Sequence, residues 1–175
     1  MAIMKSQSVL RKTIEISVEK TRPSNTTAYT DEDVFSENAS SGTAWTFDAV
    51  VPEAGAGGKI VKAMIACDDT NIVPVCSMYL TNVTPTGNLN DNAANDNPVY
   101  ATEVDHYQGR LDWAAMQDLG GMSESVLTSA DTKLPLHFVT ASGDDALYGV
   151  LVIRSAAHTP TSGAKITVTL TIEPD

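Results

Sequence analysis

Lys165-Ile-Thr-Val-Thr-Leu-Thr-Ile-Glu173 is the stretch on which the fold turns. Ile166, Val168, Leu170 and Ile172 alternate with Thr167, Thr169 and Thr171. A period of two puts one residue set on each face of an extended chain, so this is a half-buried strand. The same period runs back through the sequence. In Val9 to Lys20, Ile14, Ile16 and Val18 share a face against Glu15, Ser17 and Glu19, and Trp45, Phe47, Ala49 and Val51 repeat the pattern. Lys59 to Cys67 is apolar on both faces apart from Lys59 and Lys62, as a central strand requires. Val73 to Asn82, with Pro74 tolerable only near its start, Tyr107 to Trp113, Leu134 to Thr140 and Ala146 to Ser155 complete eight strands. Twenty threonines agree with them, because a β-branched side chain fits a pleated surface better than a helix.

Turn-forming residues separate the strands at Pro52 to Gly58, Asp68 to Asn71, Pro85 to Asn88, Ser142 to Asp145 and Pro160 to Gly163. One short helix is expected over Asp112 to Leu119, with Asp112 as its cap and Gly120-Gly121 as its stop. The fold class is therefore all-β: a two-sheet antiparallel β-sandwich, with the jelly roll as leading topology. An immunoglobulin-like sandwich ranks second, since the Cys and Trp spacing does not suit it. No repeat and no linker divides residues 1–175, so one domain is expected. Two connections, Thr21 to Ser41 and Leu89 to Asp105, exceed the usual loop length, which marks function or packing on a neighbour.

Charge narrows the function classes. The chain carries a formal charge of -11. Residues 1–22 are nonetheless basic: Lys5, Arg11, Lys12, Lys20 and Arg22 stand against Glu15 and Glu19. An acidic body repels a phosphate backbone and an anionic lipid surface, so neither nucleic acid nor membrane is an expected partner. The basic amino-terminal segment, which includes the first strand, either pairs with its own body or reaches an acidic partner. No apolar run approaches a membrane span, and Met1 to Leu10 lacks a secretory core.

Chemistry is sparse. Cys67 and Cys76 make no disulfide framework and read as buried thiols. His106, His137 and His158 lie in separate segments without metal-ligand spacing, and His137 is expected on the surface. Gly121-Met-Ser123-Glu-Ser125 lacks the second glycine of a nucleophile elbow. The acidic loops, such as Asp31-Glu32-Asp33 and Asp91 to Asp96, offer oxygen ligands for calcium but not the spacing of a calcium loop. No cofactor and no catalytic residue is expected.

Three stretches carry a family resemblance. Thr21-Arg-Pro-Ser-Asn-Thr-Thr-Ala-Tyr-Thr30 leads to Asp33-Val34. Tyr79-Leu-Thr-Asn-Val-Thr-Pro-Thr86 precedes the Asn/Asp-rich loop. Asp145-Ala-Leu-Tyr-Gly-Val-Leu151 is followed by His158-Thr-Pro160 and the last strand. In this order they resemble small structural proteins of tailed bacteriophages, most of all the jelly-roll capsid decoration, or cement, proteins. Asp31-Glu32 and the Cys67/Cys76 pair depart from that pattern. The resemblance implies a non-enzymatic protein that binds the outer surface of an assembled head, in a virion put together in the host cytoplasm. Its implied partners are the major capsid protein and itself, as a homodimer or homotrimer. Arg11, Lys12, Arg22, Pro23, Tyr29, Val34 and Phe35 are the candidate capsid or subunit contacts, because Pro23 favours an extended arm and the aromatic and apolar residues give it anchors. Two rivals remain: a β-sandwich binding host carbohydrate through Trp45, Trp113, Tyr100 or Tyr107, and a hydrolase using paired loop carboxylates.

Overall fold

The computed structural model describes residues 13–70, 74–131, 133–155 and 159–175. Its strands are β1 (Ile14–Thr21), β2 (Val34–Phe35), β3 (Trp45–Phe47), β4 (Gly57–Cys67), β5 (Cys76–Thr81), β6 (Tyr107–Trp113), β7 (Gln117–Asp118), β8 (Ser123–Leu127), β9 (Leu136–Val139), β10 (Leu147–Ile153) and β11 (Lys165–Pro174). One sheet runs β1-β11-β4-β8-β7, with β9 also on β4; the other runs β2-β10-β5-β6, with β3 also on β10. All of these pairings are antiparallel.

The pairings nest. The first strand pairs with the last (β1 with β11), β2 and β3 pair with β10, β4 pairs with β8 and β9, and β5 pairs with β6. A long hairpin rolled across two sheets produces this order, which is the jelly-roll topology. The stretch from Lys165 behaves as its period requires: Ile166, Val168, Leu170 and Ile172 are buried between the sheets.

The core lies between the sheets, where Trp45, Phe47, Ile60, Ile65, Met78, Leu80, Leu111, Trp113, Leu147 and Leu151 interdigitate. Burial of each such side chain contributes about 1.5–3 kcal/mol. Both indoles satisfy their N–H inside: Trp45 Nε1 donates to Phe35 O at 3.3 Å and Trp113 Nε1 to Ala63 O at 3.2 Å. On the outer face of the second sheet, Val34, Val150 and Val152 form a smaller cluster packed by Tyr79 and Leu89. The loop after β5 thus covers that face, which is why β10 is apolar on both sides.

Three expectations need correction. Asp112 to Leu119 is not helical: Asp112 and Trp113 finish β6 opposite Ser77 and Cys76, and Ser77 Oγ donates to Asp112 Oδ1 at 2.5 Å. The short helix, α1, is instead Tyr100–Glu103, followed by a 3-10 turn at Val104–His106. The segment read as a loop after that helix holds β8, whose Leu127 and Ser123 face inward while Glu124 and Val126 pair with Ala66 and Met64. Third, the strand expected over Trp45 to Val51 stops at Phe47, because Ala49 takes φ +54° and turns the chain.

Candidate functional site

The two long connections meet. Residues 90–95 lie along β2 and close its free edge: Val34 N donates to Ala93 O, Asn92 N to Val34 O, Asn95 N to Glu32 O and Asp91 N to Asn38 O. Side chains reinforce the join, with Asn92 Nδ2 donating to Ala28 O at 3.1 Å and Gly42 N to Asn90 Oδ1 at 3.0 Å. The Asn/Asp richness of the second loop serves this purpose. Asp96 Oδ1 accepts from Asn88 N, Asn97 Oδ1 from Gly87 N and Asn95 Oδ1 from Asn97 N, so side chains supply the partners that a ladder gives in regular structure. Among the described residues no group of three or more His, Cys, Asp or Glu side chains is placed to hold a metal ion.

Arg22, Tyr29 and Asp91 form the centre of this clasp. Arg22 leaves β1 with its N–H on Ala164 O. Its Nη1 donates to Pro160 O at 2.6 Å, its Nη2 to Asn25 Oδ1 and Thr27 O at 2.9 Å each, and its guanidinium lies 5.0 Å from the centre of the Tyr29 ring. Tyr29 stacks on Phe35 at 5.8 Å. Burial first, then the neighbouring Asp91, pushes the Tyr29 phenol up, so it remains a donor. Nearby, Lys20 is buried over the Trp45 ring and pairs with Glu37 at 2.5 Å. Burial alone would raise the Glu37 carboxyl, but the bonds from Lys20, Thr43 and Ser36 hold it at about 2.

These contacts place the sequence candidates. Arg22, Tyr29, Val34 and Phe35 are buried in the chain's own fold, and Pro23 is half-buried. Their side chains therefore anchor the arm to its own body, and in this conformation they offer a neighbour no surface. The reason is physical: the Tyr29–Phe35 pair removes apolar surface from water, and Pro160 O, Asn25 Oδ1 and Thr27 O accept from the Arg22 guanidinium that this burial takes inside. Arg11, Lys12 and His158 lie outside the described residues.

The opposite flank differs. There β6 ends the second sheet, with β9 packed across from it. Tyr107 (38% exposed) on β6 and Val139 (53%) on β9 stand on this flank, and Tyr100 (80%) and Val104 (48%) are exposed in the short helix and turn that lead into β6. Tyr100 and Val104 stand one helical turn apart, and Glu103 beneath them is fully buried, accepting from Val99 N, Thr86 N and Thr86 Oγ1. Val139 is tied in through Gln108 Oε1 and Asn82 Nδ2. Gly109 is demanded here by its φ of +122°, a backbone conformation that residues with a Cβ rarely adopt. Tyr107, Arg110, Lys133 and Leu136 line a shallow depression of about 390 Å³. Sequence reasoning named Tyr100 and Tyr107 as exposed aromatics but not this flank; the signal was an aromatic pair bracketing the short helix. Trp45 and Trp113 belong to the core and supply no platform. His137 is exposed on β9.

The chain matches no protein-family model and no curated protein. Among solved structures it is similar to the decameric BFDV capsid protein, with 12% identity, 94% of this chain and 99% of that one covered, and a TM-score of 0.36. It is also similar to the Israel acute paralysis virus pentamer (14% identity, 95% and 89% covered, TM-score 0.32) and to turnip yellow mosaic virus (10%, 100% and 88%, TM-score 0.28).

Proposed function

We propose that this chain is a non-enzymatic capsid decoration, or cement, protein of a tailed bacteriophage, which binds the outer surface of the assembled head and stabilises it. The observation that carries this reading is the contrast between the two flanks of the jelly roll. One is sealed by residues 90–95 along β2; the other leaves the edge strand β6 with Tyr107 and Val139 exposed beside it. Exposed apolar side chains gathered on one flank beside an open strand edge suit association. The work of such a protein is binding energy: each copy that binds the shell but not dissociated subunits shifts the equilibrium towards the assembled lattice. Copies joined as an oligomer add avidity where they bridge neighbouring capsomers. Arg11, Lys12 and the exposed part of Pro23 remain proposed contacts, with the major capsid protein as partner. Heads lacking the protein test this: adding it should raise their rupture temperature, and unchanged rupture with no co-sedimentation contradicts it.

A further inference from the structure

Two long strands of this sandwich carry a backbone ladder on one side only among the described residues, and they lie on opposite flanks, with residues 133–139 touching the second of them through side chains alone. Among the described residues β1 pairs only with β11, and β6 only with β5. The edge of β2, in contrast, is closed by residues 90–95. β1 packs across β3, whereas β6 packs across β8 and β9, so the open edges face away from one another.

Backbone parity shows what each edge presents. Arg22 N bonds Ala164 O, which makes Arg22 and Ala164 a hydrogen-bonded pair in the β1–β11 register. Alternation in an antiparallel ladder then turns the N–H and C=O of Glu15, Ser17 and Glu19 outwards. On β6, Asn82 N bonds His106 O, so the next residue, Tyr107, points its own N–H and C=O away from β5.

The side chains beside these edges are complementary. Along β1, Glu15 and Glu19 are exposed, Glu19 also holding Lys165 at 2.8 Å, and Ile14, Ile16 and Val18 are only half-buried. Beside β6, Arg110 lies 2.6 Å from Asp112, and Lys133 pairs with the same carboxylate, so two cations share one anion on a strongly acidic protein. Tyr107, Leu136 and Val139 give that flank its apolar part.

We infer that the occupant of the β6 flank is the β1 edge of a second copy of this chain, in a head-to-tail contact that places Glu15 and Glu19 beside Arg110 and Lys133. A contact between two different surfaces closes into a ring when the rotation allows it. Self-pairing of β1 with β1 about Ser17 is disfavoured, because it sets Glu15 opposite Glu19. This inference rests on the proposed self-associating role and specifies its interface.

Sedimentation of the full chain tests it, with circular dichroism confirming the fold of each variant. The wild type should form a closed oligomer. R110E with K133E should weaken self-association by about tenfold or more, and so should E15K with E19K, since each sets like charges together. All four changes in one chain should restore it. Should a charge reversal unfold the protein, Tyr107→Ser and Glu15→Gln give the same reading by weakening association without reversing charge. A wild type that stays monomeric while binding heads overturns the inference and leaves the proposed function standing. So does an oligomer indifferent to both reversals, or one that the fourfold change fails to restore. An oligomer with this charge dependence that ignores heads supports the interface and overturns the proposed function.

Discussion

Tyr29 Oη donates to Asp91 Oδ1 at 2.5 Å, and through that bond the arm after β1 is fastened to the loop after β5. The two residues are 62 positions apart in sequence and both are buried. Asp91 Oδ1 also accepts from Ser36 N at 3.0 Å. Tyr29→Phe keeps the ring on Phe35 and removes only the hydroxyl. It should cost about 1–3 kcal/mol, because a buried carboxylate loses a donor it cannot replace with water. Urea unfolding of the pair of proteins measures it, and equal midpoints contradict the clasp.

Glu37 sets an acid limit. Its folded carboxyl is held near 2 against an ordinary value of 4.5, so the folded state favours the ionised form. The stability it contributes is present above the ordinary carboxylate range and is lost as pH falls towards 2. Asp91 runs the other way: burial raises its carboxyl, so protonation favours the folded state. The difference in melting temperature between wild type and Glu37→Gln should therefore be largest at neutral pH and shrink below about 4.5. A difference that stays constant down to pH 2 contradicts the assignment.

Gly149 sits opposite Leu80 within β10, where a Cβ would come within 2.9 Å of Met78 Sδ. Gly149→Ala should destabilise by about 1–3 kcal/mol through overpacking. Shortening the neighbour, as in Met78→Val, should recover part of that loss, because the two sites share one space. Strictly additive losses in the double variant contradict the packing argument.

Cys67 and Cys76 are free and buried in the core, and burial pushes the Cys67 thiol up to about 11 and the Cys76 thiol higher still. Neither supplies thiolate at pH 8, so a thiol reagent should label them only as the protein unfolds. Rapid labelling of the native chain contradicts this.

The strands with strict alternation were legible from sequence: β6 matched its expected residues and β11 ran one residue past them. Ser123 to Leu127 was missed because Ser123, Glu124 and Ser125 carry polarity on both faces, and only pairing with β4 makes them a strand. The helix expected at Asp112 was overruled by Ser77 and by the demand of Trp113 and Met116 for the core. The buried state of Tyr29 and Phe35 was undecidable from local pattern, since an arm that folds back and an arm that reaches out need the same anchors. Partner loops distant in sequence made the choice.

Discrimination between assembled and dissociated shell tests the account most directly. Purified chain is offered to intact heads lacking it and, in parallel, to the dissociated capsid subunits, and bound protein is counted on each. Saturable binding to the heads at a fixed number of copies, with none on the free subunits, is the predicted result. Equal binding to both, or to neither, contradicts it.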